Sequence, residues 1–402
     1  MPDANLPRVR AVTVPVDDVS VSLEWASERA PLVWQRGEEM LIGIGELVRI
    51  DFAGPDRFAD AARNWQALCS AAEVVNELDV PGTGLVAFGS ASFAEASGAG
   101  SMLRVPQIVL GRRDGQSFRT DLSLLDVPGP SAPLRRALGD FGPVVWADTA
   151  DAAGHTRAVR GALDAISAGR ISKVVLARRA EGTLPAGSDL RTAVSRLSSR
   201  NPDAWVFAID GLIGASPETL LAATGTTGSI RVLAGTRDRG NGTAADLLTS
   251  TKDRFEHEIA VESVLSALER AGVRSIDRGE PFALQLPELW HLASDLRFDL
   301  DTVQLLRVLG ELHPTGAVGG TPTAAALELI TELESSDRGR YAGPVGWLDA
   351  NGGGEWAIAL RCAQVDGTRV VAWAGGGIVA GSEPEREFDE TELKLRTIRS
   401  AL

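Results

Sequence analysis

Residues 382–394 read SEPEREFDETELK, and six of the thirteen side chains are acids. Ser382 with Glu385 three residues on has the form of a capping box, and Pro384 suits a first helical turn. Acids in that turn complement the helix dipole, so Glu383 and Glu385 are accounted for without any function. Glu387 and Glu390 lie further in. Three apart, they share a face with Lys394, which falls four beyond Glu390. Taken alone, that arrangement is more often a solvated face with a favourable ion pair than a carboxylate pair held for a cation.

A second stretch alters the weighing. In STKDRFEHEIAVESVL, residues 250–265, Asp253 and Glu256 are again three apart at a helix start, ahead of an apolar stripe of Val261, Val264, Leu265 and Leu268. Two helices that each offer such a pair could close on one divalent cation. Oxygen ligands of this kind suit Mg²⁺, which takes one or two carboxylates and leaves positions for water or substrate.

The elements that must position these acids are mixed. With 44% hydrophobic and 23% charged residues in 402, the chain has the composition of a sizeable packed core. Short strand-like runs dominate early: LIGIGELVRI, GLVAFGSASF and VPQIVLGRR. Residues 127–143, VPGPSAPLRRALGDFGP, are rich in Pro and Gly and form the best candidate boundary. Residues 156–168 read as a helix with apolar positions at 159, 162, 163 and 166 and a capping Gly169. SKVVLARR, WVFAIDGLIGASPETLLAA, SIRVLAGTRD, EWAIALRCAQV and RVVAWAGGGIV follow as strands, with helices over TKDRFEHEIAVESVLSALERAG and after Pro384. Without a regular βαβ alternation, this mixture predicts an α+β fold built on large sheets flanked by helices.

Other classes drop out. A net charge of −14 argues against nucleic-acid binding. No apolar run approaches the length of a membrane span, and the N-terminal MPDANLPRVRAVTVPVDD has no signal-peptide character, so a cytoplasmic chain is expected. Cys69 and Cys362 lack C-x-x-C spacing and are expected as reduced, buried thiols.

Taken in order, SKVVLARR, GASPETLL, VLAGTRDRG, KDRFEHE, LWHLAS, LHPTGAVGGTP, DRGRYAGPVGWLD, AIALRCA and AGGGIVAGSEPEREFDETELK resemble the chorismate-utilising, anthranilate synthase component I-like enzymes over nearly all of residues 150–400. The block LHPTGAVGGTP, with Gly319, Gly320, Thr321 and Pro322, is most similar to the isochorismate synthase branch; Gly316 stands where that branch carries Pro. The salicylate and aminodeoxychorismate branches are the alternatives. A non-catalytic chorismate binder is disfavoured because the expected site residues are all present. The resemblance implies one compact unit: residues 1–145 as a weakly matching N-terminal part and 150–402 as the catalytic core.

It also implies roles. Isochorismate synthesis adds water at C2 of chorismate while the C4 hydroxyl leaves. Lys173 matches the family's base, and to act so it must be neutral, against an ordinary pKa of roughly 10.4. Glu218 matches the acid and must begin protonated, although Ser216-Pro217-Glu218 also reads as a helix opening. Glu256 and Glu390 match direct Mg²⁺ ligands, with Asp253 and Glu387 supporting them. Arg361 matches a carboxylate clamp; in AIALRCA it alternates onto the face of Ala357, Ala359 and Ala363. Tyr341, the only tyrosine, matches a phenol at the same end. Gly375, Gly376 and Gly377 would let backbone amides approach a carboxylate, Lys394 could face the ring carboxylate, and Thr236, His291 and Ala293 match pocket residues. The expected cofactor is Mg²⁺ and the expected partner is chorismate alone, with no glutaminase, nucleic acid or membrane, on a monomer. Menaquinone and siderophore routes are both open.

Overall fold

The computed structural model describes residues 6–17, 21–78, 80–131, 133–147, 152–238, 243–285, 289–300 and 304–402, with backbone only at 236–238, 252, 256, 285, 289 and 304. Up to residue 147 the chain is mostly short strands around one helix. These are β1 (Val9–Pro15), β2 (Leu32–Arg36), β3 (Glu39–Ile44), β4 (Val48–Phe52), α1 (Arg57–Ala71), β5 (Glu73–Asn76), β6 (Val86–Ser90), β7 (Ser101–Val105), β8 (Ile108–Arg113), β9 (Gln116–Leu124) and β10 (Val145–Trp146).

Strands and helices then mix: α2 (Ala152–Ser167), β11 (Lys173–Thr183), α3 (Leu190–Arg200), β12 (Trp205–Ile209), β13 (Leu212–Ser216), β14 (Thr219–Thr224), β15 (Thr227–Asp238), α4 (Ala244–Thr249) and α5 (Thr251–Arg270). The last third holds β16 (Ile276–Arg278), β17 (Phe282–Gln285), β18 (Leu289–Asp299), α6 (Gln304–Leu312), β19 (Gly320–Thr321), α7 (Thr323–Leu333), β20 (Pro344–Asp349), β21 (Gly354–Ile358), β22 (Cys362–Asp366), β23 (Arg369–Val379) and α8 (Pro384–Arg399). No helix of the described residues is long and apolar enough to cross a membrane.

Two large sheets result. One runs β10-β11-β23-β22-β13-β12-β2-β3-β8-β9-β1-β5, with β19 beside β11; the other runs β16-β18-β15-β14-β21-β20-β6-β7-β4, with β17 beside β18. Pairing is antiparallel apart from β1 with β5. Strands from before residue 147 lie between or beside later ones in both: β2 pairs β12, and β6 pairs β20. β12 and β13, buried on both faces, meet through Asp210-Gly211, whose φ values of 52° and 79° fit a two-residue primed turn.

The helices follow their sequence signals with one exception. In α2, Val159 and Ala162 are buried, Leu163 and Ile166 pack on the core, and Gly169 (φ 72°) closes the end as Arg170 N–H bonds Ala165 O at 3.0 Å. In α5, Val261 and Leu268 are buried and Val264 and Leu265 pack beside them. The capping box expected at Ser382 does not form. The N-cap of α8 is Glu383, with no side-chain cap, and Ser382 Oγ instead accepts the Val379 N–H at 3.2 Å. Pro384 does open the helix.

The stretch 127–143 carries neither helix nor strand in its described residues, yet it is pinned down. The Arg191 guanidinium donates to the carbonyls of Arg136 and Ala137 at 2.9 Å each, and Asp189 accepts the Gly139 N–H at 2.6 Å. Between the sheets, Glu355 on β21 accepts from Trp34 Nε1 (2.9 Å), Trp347 Nε1 (3.0 Å) and the Arg113 guanidinium (2.6 and 3.0 Å). One carboxylate therefore ties β2 and β8 of the first sheet to β20 and β21 of the second.

Candidate active site

The chain crosses between the sheets at two places that matter here. After β13 it turns through Ser216-Pro217-Glu218 into β14 of the other sheet, so this triplet is a strand corner and not a helix opening. Ser216 Oγ shapes the corner by donating to Ile358 O at 2.6 Å and accepting the Glu218 N–H at 3.2 Å. Returning, the chain leaves β21 at Ile358 and enters β22 at Cys362, with Arg361 at φ 49° in the crossing. AIALRCA is thus not one continuous strand, and the expected alternation of Arg361 with Ala357, Ala359 and Ala363 fails. A left-handed non-glycine residue at a sheet crossing is a constrained position that aims one side chain.

Lys173 opens β11, with its carbon chain over Gly377: a Cβ added there would stand 3.0 Å from Lys173 Cε. Burial holds the ammonium's pKa below its ordinary value against the pull of Glu218, and Lys394 lowers it further. Burial raises the Glu218 carboxyl above the ordinary range, opposed by Lys173 and Arg361. Among the described residues, nothing hydrogen-bonds or ion-pairs with the Lys173 ammonium, the Glu218 carboxylate or the Arg361 guanidinium. Three charges are held in a half-buried setting and left for something else to meet.

The glycines are strand, not turn. Gly375, Gly376 and Gly377 stand opposite Ala177, Leu176 and Val175. The Val175 N–H bonds Gly319 O and the Ala177 N–H bonds Glu334 Oε1, both away from β23. By ladder alternation, Gly375 and Gly377 therefore turn their amide groups to the edge where pairing with β22 has already ended, at the Ala363–Ala372 pair. Lys394 Nζ takes the Gly375 carbonyl there at 2.9 Å and also pairs with Glu390. A Cβ on Gly375 would meet Tyr341 Oη at 3.1 Å. Tyr341 is buried, its phenol is raised by that burial, and it stacks on Trp373 at 5.9 Å.

On the alternate face, a Cβ on Gly376 would meet Glu387 Oε2 at 3.0 Å and Glu390 Oε1 at 4.0 Å. Burial raises the Glu387 carboxyl, and the neighbouring Glu390 adds to the rise. Two carboxylates one helical turn apart, crowding each other against bare backbone, fit a hard cation. Among the described residues no three acidic, His or Cys side chains gather closely enough to hold a metal ion, and the side chain of Glu256 lies outside them. The side chain of Thr236 does too.

His291 and Ala293 belong to the other sheet, and Asp253 to a helix packed on it. Asp253 is buried at the start of α5, where its N–H bonds Ser250 Oγ at 3.2 Å, and α5 packs on β15. Thr236 pairs with His291 beside a bulge that holds Gly235 at φ 80°. Ala293 is fully buried on β18. His257 bonds Ser294 Oγ at 2.8 Å and faces Ala234 O at 3.2 Å, which accounts for it structurally. Sequence reading missed Ser216 and Trp373. The first was hidden by the helix reading of its triplet; the second shares the strand face of Gly375 and Gly377, a spacing that could have pointed to it.

Two large, mainly antiparallel sheets, with Glu218 and Arg361 where the chain crosses between them and Lys173 in electrostatic reach of Glu218, define an α+β enzyme scaffold. The chain belongs to the chorismate-binding enzyme family, whose model matches residues 9–124 and 140–402. It is 34% identical to the salicylate biosynthesis isochorismate synthase of Pseudomonas aeruginosa, over 96% of this chain and 88% of that protein. It is 37% identical to the isochorismate synthase DhbC of Bacillus subtilis, over 62% of this chain and 67% of that one. Its fold matches the menaquinone-specific isochorismate synthase MenF of Escherichia coli with a TM-score of 0.76 at 24% identity, covering 98% of this chain and 95% of the other.

Proposed function

We propose that this protein is a Mg²⁺-dependent isochorismate synthase that interconverts chorismate and isochorismate. The names of its relatives support the class of reaction, and one observation carries the reading: Lys173, lying over Gly377, shares one electrostatic neighbourhood with Glu218 and through it with Arg361, and none of the three side chains has a hydrogen-bond or ion-pair partner among the described residues.

In this reading Arg361 and the Gly375 and Gly377 amides receive the enolpyruvyl carboxylate, with the guanidinium offering a planar fork. Tyr341 Oη contacts the same end. Lys173 takes a proton from the water that attacks C2, and Glu218 gives one to the departing C4 hydroxyl. The working form is neutral lysine with protonated glutamic acid. It carries the same number of protons as charged lysine with ionised glutamate, so the two are tautomers. Burial favours the neutral one by lowering the lysine and raising the acid. A ligand that displaces water strengthens this preference. Glu390 and Glu256 would hold the metal, with Glu387 and Asp253 supporting, and Lys394 would then be released toward the ring carboxylate. The ion, when bound, supplies Lewis-acid withdrawal of charge at that carboxylate.

The test is incubation with chorismate and Mg²⁺, with and without ammonium, resolving products by chromatography and proton NMR. A magnesium-dependent approach to a chorismate–isochorismate mixture, indifferent to ammonium and free of pyruvate, is expected. Salicylate with pyruvate, or an amino product, would move the protein to a sister activity of the family.

A further inference from the structure

β11 has two edges. One pairs with β23, while on the other β19 covers only Lys173 and Val174. The chain enters β19 from a tight turn in which the Val318 and Gly319 N–H groups both bond Thr315 O, at 3.1 and 2.9 Å, so no strand residue stands opposite Ala177. Between Val174 and Glu181, before β10 takes up Gly182 and Thr183, buried backbone groups of β11 other than the Val175 N–H, which bonds Gly319 O, would have no ladder partner.

An ion pair takes their place. Glu334 Oε1 accepts the Ala177 N–H at 2.7 Å, and Arg338 donates to Val175 O at 2.6 Å and to Val318 O at 2.9 Å. The two side chains, 2% and 5% exposed, join in a bidentate pair at 2.5 and 2.9 Å. The Arg338 guanidinium also lies over the Phe93 ring at 4.3 Å, and the Arg338 carbonyl accepts the Tyr341 N–H at 3.1 Å. Val175 and Ala177 stand directly opposite Gly377 and Gly375.

We propose that Glu334 and Arg338 form a positioning clasp, which substitutes for the missing length of β19 and sets the placement of Lys173, of the Gly375 and Gly377 amides and of Tyr341. Both residues act through the strand, and neither touches the reacting atoms. The inference rests on the reading of Lys173 as the base. The guanidinium fork is the part a lysine cannot reproduce, because one ammonium cannot hold Val175 O, Val318 O and both oxygens of Glu334 at once.

The experiment compares full-length wild type, Arg338→Lys, Arg338→Ala and Lys173→Ala in turnover of chorismate with Mg²⁺, thermal melting and amide hydrogen exchange. Arg338→Lys keeps the charge, so its melting temperature should return close to wild type while Arg338→Ala melts early. Its kcat should nonetheless fall about tenfold to a hundredfold, as expected for small misplacement of a reacting group, with KM within about threefold of wild type. In the wild type the Ala177 amide should exchange as slowly as that of Leu176, which the β23 ladder protects. A wild-type kcat in Arg338→Lys, or loop-like exchange at Ala177, overturns the clasp. Should the protein make no isochorismate, or Lys173→Ala keep the rate, the functional reading fails instead, and the exchange measurement, which needs no turnover, still decides whether the clasp holds the strand.

Discussion

At the scale of the residue, the site is defined by groups kept away from their ordinary protonation. Glu218 is the clearest case. Its folded pKa is raised by burial, so its protonated form is favoured in the fold, and that stabilisation is complete only below the ordinary value of 4.5. It is lost as pH rises through the raised folded value. Glu218→Gln, which removes the titration, should therefore be more stable than wild type at neutral pH, with the advantage vanishing toward pH 4.5, while turnover falls by about 10²–10⁴. Urea unfolding across pH, set beside steady-state rates, checks both halves. Equal stability at pH 7 would mean the carboxylate is not held against its charge.

His313 gives the opposite sign. It is buried, bonds Phe93 O at 2.9 Å, and burial lowers its pKa from 6.5 to about 4. The unfolded chain binds the proton first, so stability present above pH 6.5 is lost as pH falls toward 4, by about 3 kcal/mol for the imidazole alone. Subtracting the pH–stability curve of His313→Gln from that of wild type isolates this contribution. A flat difference would place the residue in water.

At the scale of the element, β23 shows how one strand serves two faces. Gly375→Ala would set a methyl 3.0 Å from Leu176 O and 3.1 Å from Tyr341 Oη, so backbone or a stacked ring must yield. Gly376→Ala would meet only side-chain ends, Glu387 Oε2 at 3.0 Å and Glu390 Oε1 at 4.0 Å. The first should lower kcat at any Mg²⁺ concentration. The second should chiefly raise the Mg²⁺ needed for half-maximal rate, by roughly fivefold for a displaced carboxylate worth about 1 kcal/mol. Magnesium titrations of the two variants distinguish them, and identical responses would dissolve the two-face reading. Several elements were readable from sequence because their signals are local: the stripe of α5, the closing Gly169 of α2, Pro384 at the start of α8. Ser382 and Ser216 were misread because each hydroxyl has a better partner than a helix N–H. Val379 N–H takes the first, and Ile358 O with the Glu218 N–H takes the second.

At the scale of the whole molecule, the sheets act as one unit because they share strands from both ends of the chain and a common tie. Glu355→Ala would leave two indole N–H groups without their acceptor and the Arg113 guanidinium with Glu39 alone, at 3.1 Å. A loss of about 2–4 kcal/mol is expected, from two unmet buried donors and a weakened charge pair. Denaturant unfolding measures it directly, and a loss below about 1 kcal/mol would show the groups rehydrate freely.

The sequence by itself determined the class of fold, the family, and a list of residues able to do acid–base and carboxylate chemistry. These follow from residue types at short spacing, which local periodicity and ordered motifs express. Only the tertiary structure decided how they meet. Arg361 acquires its direction from a crossing between sheets, and the glycine edge becomes available because the pairing of β22 with β23 stops short of Gly375. Lys173 and Glu218 gain shifted protonation from burial that strands far apart in the chain create together. Such properties depend on dielectric surroundings and on partners hundreds of residues away, and neither is written in any window of sequence.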